Sequence, residues 1–412
     1  VNRRGFLAVG AAGLATLTTA CGRADADERA ALAAERDRSG EGTIDIGVVW
    51  TRRPDALLLE GVELAVEDLN AGGGVLGRPV TLTVLPDESG AADPRAGARD
   101  RARALVREPS LIAVLGHTVP AGAGPASILY EDSGVLFLNA TMADHGMHGF
   151  GFRYVFSTIP SDEDIIRQAA TFCSSLGYRR IAILSHRDNR AAPLRHVFAA
   201  QATTLDMTIA VQRSFFTGRE TFRDLLADLG AFPHDALLLL TDGAAAGAII
   251  GQALEMSLNT HCVLGRVTDP VALRRRVGRE TPRIAMPSLF NPYGGSPRVR
   301  RFRQAFTDRV GCAPDAWAAQ GYDAMGLLAH AMRQANATVP LSIATVLRYT
   351  LAWRGLTGRH SFDRRGSIYT KDVAFATLEK GDILVFGPAG AVSPLPGDQG
   401  APADAPCPRS SA

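Results

Sequence analysis

Gly72, Gly74 and Gly77 in "DLNAGGGVLGRPV" have the G-x-G-x-x-G spacing of a dinucleotide-binding turn. That chemistry needs a strand before the glycines and a helix after them, so that the helix N-terminus meets the pyrophosphate. Here the order is reversed. Val62, Ala65, Val66 and Leu69 recur at helical spacing before the cluster, and the β-branched run "VTLTVL" follows it. The glycines are therefore expected to end a helix and turn into a strand, with no nucleotide bound. A second cluster, Met142, His145, Met147 and His148 in "MADHGMHGFG", combines thioether and imidazole groups that suit copper. No further ligand pattern supports it, so an exposed loop and no metal are expected. Cys173, Cys262, Cys312 and Cys407 lack zinc or redox-motif spacing. One disulfide among them is open, with three pairings for four cysteines. No G-x-S-x-G elbow, H-E-x-x-H helix or P-loop occurs, and the expectation is a protein without catalysis or cofactor.

The elements around these residues alternate. From Ile44 the chain reads as strand "TIDIGVVW", a helix to Asn70, strand "VTLTVL", a helix, strand "LIAVLGH", a helix and strand "VLFLNA". A second series starts near Ser161 and includes the strands "RRIAILSH", "TIAVQRSFF", "DALLLLTD" and "HCVLG". Continuous apolar strands alternating with helices predict parallel sheets covered on both faces. Two series predict an α/β chain of two doubly wound parallel-sheet lobes, with ligand bound beyond the carboxyl ends of the strands where the lobes face each other.

The 412 residues are 46% hydrophobic and 21% charged, enough for two ordinary cores. Of 44 basic residues only Lys371 and Lys380 are lysine, and the formal charge is +2. Arg3 and Arg4 lie in an export leader, leaving a neutral body, so a nucleic-acid partner is not expected. Arg3-Arg4-x-Phe6-Leu7 resembles a twin-arginine signal, and Thr18-Thr19-Ala20-Cys21 resembles a lipobox whose Cys21 would be acylated. Residues 1–21 are thus expected to be the leader, 22–42 a flexible charged tether, and the Pro/Gly/Ala-rich 388–412 a disordered tail.

The segments "GVELAVEDLNAGGGVLGRPVTL", "AVLGHTVPAGAGPASILYEDSGVLFLNA", "FRYVFSTIPSDED", "AAQGYDAMGLLAHAM" and "GLTGRHSFDRRGSIY" occur in the order found in the type I periplasmic substrate-binding proteins of the branched-chain amino acid (Leu/Ile/Val-binding) group, which the chain resembles from about Ile44 to Phe386. The resemblance implies the type I periplasmic binding protein fold, with lobes joined by a three-segment hinge near Thr158–Ser161, Met286–Pro292 and Gly355–His360. Lobe one would be 43–158 plus 291–354, and lobe two 159–290 plus 355–387. It also implies a monomer that closes on a small solute and serves an ABC permease in amino acid transport, while the leader and Cys21 imply a lipid anchor outside the cytoplasm.

Carried onto this chain, the resemblance removes the usual amino-acid contacts. Pro120 stands where a carboxylate-binding serine is expected and Ala143 where a threonine is, with Asn139 and Thr141 nearby. Arg190 replaces a tyrosine, Asp242 lies near a second aromatic position, and Arg266 or Val267 occupies the place of the acid that pairs with the ammonium. Leucine, isoleucine or valine bound in the usual way would leave that ammonium unpaired. Arg190 and Arg266 instead suit an anionic ligand, unless both are surface arginines. Trp50 offers a stacking face or lobe-interface packing, and His117 and Thr118 follow the third strand. Asp242 either meets ligand or pairs with Arg190. A membrane-partnered sensor and a degenerate, non-binding member are the alternatives to a transport receptor.

Overall fold

The computed structural model describes residues 21–386 and 392–394, except 53–55, 88–92, 118–119, 142–149, 269–272, 275–276, 278–282 and positions 189, 293, 350, 351, 370, 372, 380 and 381. The first lobe is built on a parallel sheet ordered β2-β1-β3-β4-β5, from β1 (Ile44–Val49), β2 (Val80–Leu85), β3 (Leu111–Gly116), β4 (Leu136–Asn139) and β5 (Val155–Ser157). Every residue of β3 and β4 is buried, as continuous apolar strings between helical layers must be. Helices α2 (Leu58–Ala71), α3 (Pro94–Val106) and α4 (Pro120–Asp132) connect the strands.

The second lobe holds β6 (Arg180–His186), β7 (Thr208–Phe215), β8 (Ala236–Leu240), β9 (His261–Leu264) and β10 (Ile284–Ser288), mutually parallel. Helix α5 (Asp162–Ser175) leads into β6, and α6 (Ala191–Thr204), α7 (Arg223–Gly230) and α8 (Gly243–Glu255) connect β6 through β9. The sheet continues antiparallel through β13 (Ala374–Glu379), β14 (Asp382–Phe386) and β15 (Val392–Pro394), giving the order β15-β14-β13-β10-β9-β8-β6-β7. Helices α9 (Pro297–Val310), α10 (Ala316–Ala335) and α11 (Pro340–Tyr349) return to pack on the first lobe, and β11 (Trp353–Arg354) pairs with β12 (Arg359–His360). The chain thus passes between the sheets three times: after β5, after β10 and before β13.

The glycine cluster behaves as its order predicts. Gly72 closes α2, and Gly73, Gly74 and Gly77 take positive φ of 89°, 81° and 77° before β2. A Cβ on Gly74 would stand 2.0 Å from the Arg78 carbonyl oxygen, so this turn is fixed by backbone packing.

Two expectations are corrected. Residues 22–42, read as a flexible tether, carry helix α1 (Cys21–Ser39). Its alanines favour helix, and its docking is polar. Arg29 is only 2% exposed and donates to the carbonyls of Ser133 (3.2 Å), Glu108 (2.6 Å), Leu111 (2.6 Å) and Val106 (2.8 Å). Asp37 joins Arg78 at 3.0 Å and accepts from Thr338 N at 2.7 Å. The tail from 388 was read as wholly disordered, yet Val392–Pro394 adds a strand to the second sheet, in register with Leu384–Phe386.

Cys312 is disulfide-bonded, while Cys173 and Cys262 are free and buried. Burial pushes both thiols up to about 12. Neither is expected to react with Ellman's reagent in the native protein, and both should react once denaturant unfolds it. Fast native labelling, assigned to either residue by mass spectrometry, would contradict this packing.

Candidate functional site

Between the lobes lies a cavity of about 300 Å³, lined by Thr141 and Trp317 from the first lobe, by Ile159 at the first crossing, and by the second-lobe residues Asp162, Ile165, Arg190, Thr241, Asp242, Gly243, Ala246, Leu264, Arg266, Val267 and Thr268. A second cavity of about 220 Å³ shares Arg190, Thr241, Asp242 and Arg266, and extends to His186, Asp188 and Thr217. The second-lobe residues lie at the carboxyl ends of β6, β7, β8 and β9 and in the first turns of α5, α6 and α8. A parallel sheet delivers such positions to one edge because every strand runs the same way.

The amino ends of three helices meet there. Asp162 begins α5, Arg190 is the N-cap of α6, and Asp242 is the N-cap of α8. Such ends carry partial positive charge and unsatisfied N–H groups. Asp242 Oδ1 accepts from Ala244 N and Ala245 N, each at 2.9 Å, and its Oδ2 lies 3.3 Å from His186 Nε2. Asp188 Oδ1 accepts from Arg190 N at 3.0 Å and Ala191 N at 2.7 Å. Asp162 Oδ2 stands between two guanidiniums, 3.7 Å from Arg190 and 3.5 Å from Arg266. The acids are engaged as caps or shared, whereas the arginine forks retain donors.

Of the residues expected from the sequence, Thr141, Arg190, Asp242 and Arg266 line this cleft. Asp242 pairs with His186 rather than with Arg190. Asn139 lies fully buried behind the cleft. Its Oδ1 accepts from Thr141 N at 3.2 Å, while Thr141 Oγ1 donates to the His117 carbonyl at 2.7 Å. Trp50 packs into the first-lobe core with Leu58 and Leu59. His117 is fully buried, with Nε2 3.0 Å from the Tyr130 hydroxyl and Nδ1 3.7 Å from Asp87. Thr118 and the Met142, His145, Met147 and His148 cluster lie outside the described residues. Among the described residues no group of three or more His, Cys, Asp or Glu is placed to hold a metal.

Sequence reasoning missed Asp162, Thr241 and Trp317. Thr241 immediately follows the string "ALLLL" of β8, so the rule that ligands sit beyond strand ends would have found it. Asp162 follows the N-cap Ser161, whose hydroxyl accepts from Asp164 N at 3.0 Å, inside the "PSDED" crossing. Trp317 is held in the first turn of α10 by the Asp315 cap, which accepts from Ala318 N at 2.7 Å.

Residues 50–382 match the family model for periplasmic binding proteins. An amino acid binding protein of Pseudomonas aeruginosa is 23% identical over 332 residues, covering 78% of this chain and 85% of the relative. An ABC transporter substrate-binding protein from Desulfitobacterium hafniense, solved in complex with leucine, is 28% identical with a TM-score of 0.73, over 86% of this chain and all of that one. A solute-binding protein from R. palustris, solved with benzoate, shares the fold at 16% identity and a TM-score of 0.69, over 85% of this chain and 98% of that one. With two doubly wound lobes, a chain that passes between them three times and a cleft at the strand ends, the chain belongs to the periplasmic binding protein family and is of the ABC-transporter substrate-binding type.

Proposed function

We propose that this protein is the extracytoplasmic receptor of an ABC importer, capturing a small anionic solute other than a standard branched-chain amino acid by closing its lobes. The observation that carries this reading is the cleft in which Arg190 and Arg266 share a single carboxylate, Asp162, while Asp242 and Asp188 are held as helix caps. A fork with unsatisfied N–H groups, beside helix amino ends, attracts a carboxylate. The fold does not choose between leucine and benzoate, since relatives are solved with either, so the choice falls to the cleft residues. The leader and the acylation of Cys21 would place the receptor on the outer face of the membrane, where a permease reads the closed form.

Thermal unfolding of the full chain with a panel of amino acids, mono- and dicarboxylates, amides and polyols tests this. A solute that binds only the folded state at a hundredfold excess over Kd stabilises by about 2.7 kcal/mol. Carboxylates are expected to stabilise, and the Arg190→Ala/Arg266→Ala double variant to lose that effect. Strong stabilisation by leucine, kept in the double variant, would sink the anion reading.

A further inference from the structure

The cleft combines charged and apolar lining. Where the two cavities meet, Thr241 is 6% exposed and its hydroxyl has no hydrogen-bond partner among the described residues. A buried, unpaired hydroxyl is costly unless something meets it. Arg190 and Arg266 border the same spot, and each reaches Asp162 only beyond ordinary hydrogen-bond distance. The nearby carboxylates offer nothing to Thr241: Asp242 already takes two backbone N–H groups and faces His186, and Asp188 takes two more. A hydroxyl and two guanidiniums left with donors make a small anion cradle in the second lobe alone.

The same cavity also presents apolar surface, from Ile159, Ile165, Leu264, Val267 and Trp317. Thr141, the polar group the first lobe brings to the cleft, already donates to the His117 carbonyl. A second charge on the ligand, laid against those apolar side chains, would lose its water without a partner.

Resting on the receptor reading above, we infer that the ligand is an apolar monocarboxylate without an α-ammonium group, its carboxylate held wholly in the second lobe by Arg190, Arg266 and the Thr241 hydroxyl, and its hydrocarbon body laid toward Trp317. Thr241 is the specificity-determining donor. The second lobe then takes the head from solvent, and the first lobe closes over the tail.

The probes are benzoate and 4-methylpentanoate, set against leucine (the second skeleton with an ammonium), benzamide (the first without charge) and glutarate (a second carboxylate). Each is titrated by calorimetry into the full chain, with lobe closure followed by small-angle scattering. Benzoate or 4-methylpentanoate is expected to bind at least about tenfold more tightly than the three controls, and Thr241→Val to weaken that binding about tenfold, one lost hydrogen bond. Thr241→Ser should restore it. The ligand-free Thr241→Val variant should melt no lower than wild type, because the hydroxyl it removes bonds nothing; a lower melting point would mean a structural hydroxyl and overturn the assignment. Leucine binding as tightly as 4-methylpentanoate, or affinity indifferent to Thr241→Val, overturns it too. Closure on an amide or polyol with Thr241 irrelevant overturns this inference and leaves the receptor reading intact. Absence of closure with every solute in the wider panel defeats the receptor reading itself.

Discussion

Asp323→Ala is expected to destabilise the protein by about 3–5 kcal/mol in denaturant unfolding, the range for removing one member of a buried charged network. Asp323 is 1% exposed in α10, and its carboxylate accepts from Leu356 N (2.7 Å), Thr357 N (2.7 Å) and the Thr357 hydroxyl (2.6 Å). These donors lie on the last crossing between the lobes, and alanine would leave the two backbone N–H groups unpaired. Lys371, further along the same crossing, donates to the Thr158 carbonyl at 3.0 Å and to Gln320 Oε1 at 3.1 Å, with His360 Nε2 at 3.3 Å. One small cluster thus ties the first crossing, the last crossing and α10 together. Adding Lys371→Met to Asp323→Ala is expected to recover part of the loss, since the lone variant strands a buried ammonium. A loss below about 1 kcal/mol, typical of an exposed ion pair, would show that the cluster does not brace the crossings.

The same cluster predicts a pH dependence. Burial pulls the Lys371 ammonium down to about 7 from its ordinary 10.5, with the Asp323 charge opposing. Burial raises the Asp323 carboxyl and, with the Lys371 charge, lowers the His360 imidazole. For Lys371, between about pH 7 and its unfolded value the unfolded chain holds a proton that the folded chain has released. Stability therefore rises with pH through that window, by at most about 1.4 kcal/mol per pH unit. Below about pH 7 both states are protonated and the contribution to the slope fades. The difference between wild type and Lys371→Met should therefore grow by about 1–2 kcal/mol between about pH 7 and pH 8.5. Parallel stability curves for the two proteins would refute this.

Much of the fold was legible because buried parallel strands leave a plain mark: "LIAVLG" and "ALLLL" are apolar throughout and bounded by helices. Helix α1 was not, because it docks through Arg29 and Asp37 rather than through an apolar stripe. At the site, the family resemblance matched along "SHRDNRAAPL", "LLLLTDGAA" and "VLGRVTD" brought Arg190, Asp242 and Arg266 forward, and they lie just beyond β6, β8 and β9. Trp50 and His117 also sit at strand ends, yet their side chains turn into the core. Sequence position gives the edge of the sheet and not the direction of each side chain. Trp317 and Asp162 enter from first turns of helices whose place at the cleft is fixed by the crossings. The cluster around Lys371 was illegible for a similar reason, since its partners lie 213 and 51 residues away in the chain.

Gly61→Val is expected to cost about 3 kcal/mol or more, at the upper end of overpacking effects. A Cβ at Gly61 in α2 would stand 1.9 Å from the Ala318 carbonyl oxygen, and one at Gly321 in α10 would stand 2.2 Å from that of Leu58. Glycine on both sides of the crossing lets the two backbones touch, and no side-chain rotation relieves a clash with backbone. The helices must separate, which opens the first-lobe core around Leu58 and Val62. Because Ala318 follows Trp317, the displacement reaches the apolar wall of the cleft, so surviving protein should also bind its carboxylate more weakly. Gly251→Ala in α8 is the control: nothing lies within 4 Å of its Cβ position, and the helix should gain roughly 0.5–1 kcal/mol. A glycine-to-larger change thus reverses sign between two helices of one protein, for a reason read from backbone spacing alone. Comparable losses at Gly61 and Gly251 would mean that the α2–α10 approach does not set the cost.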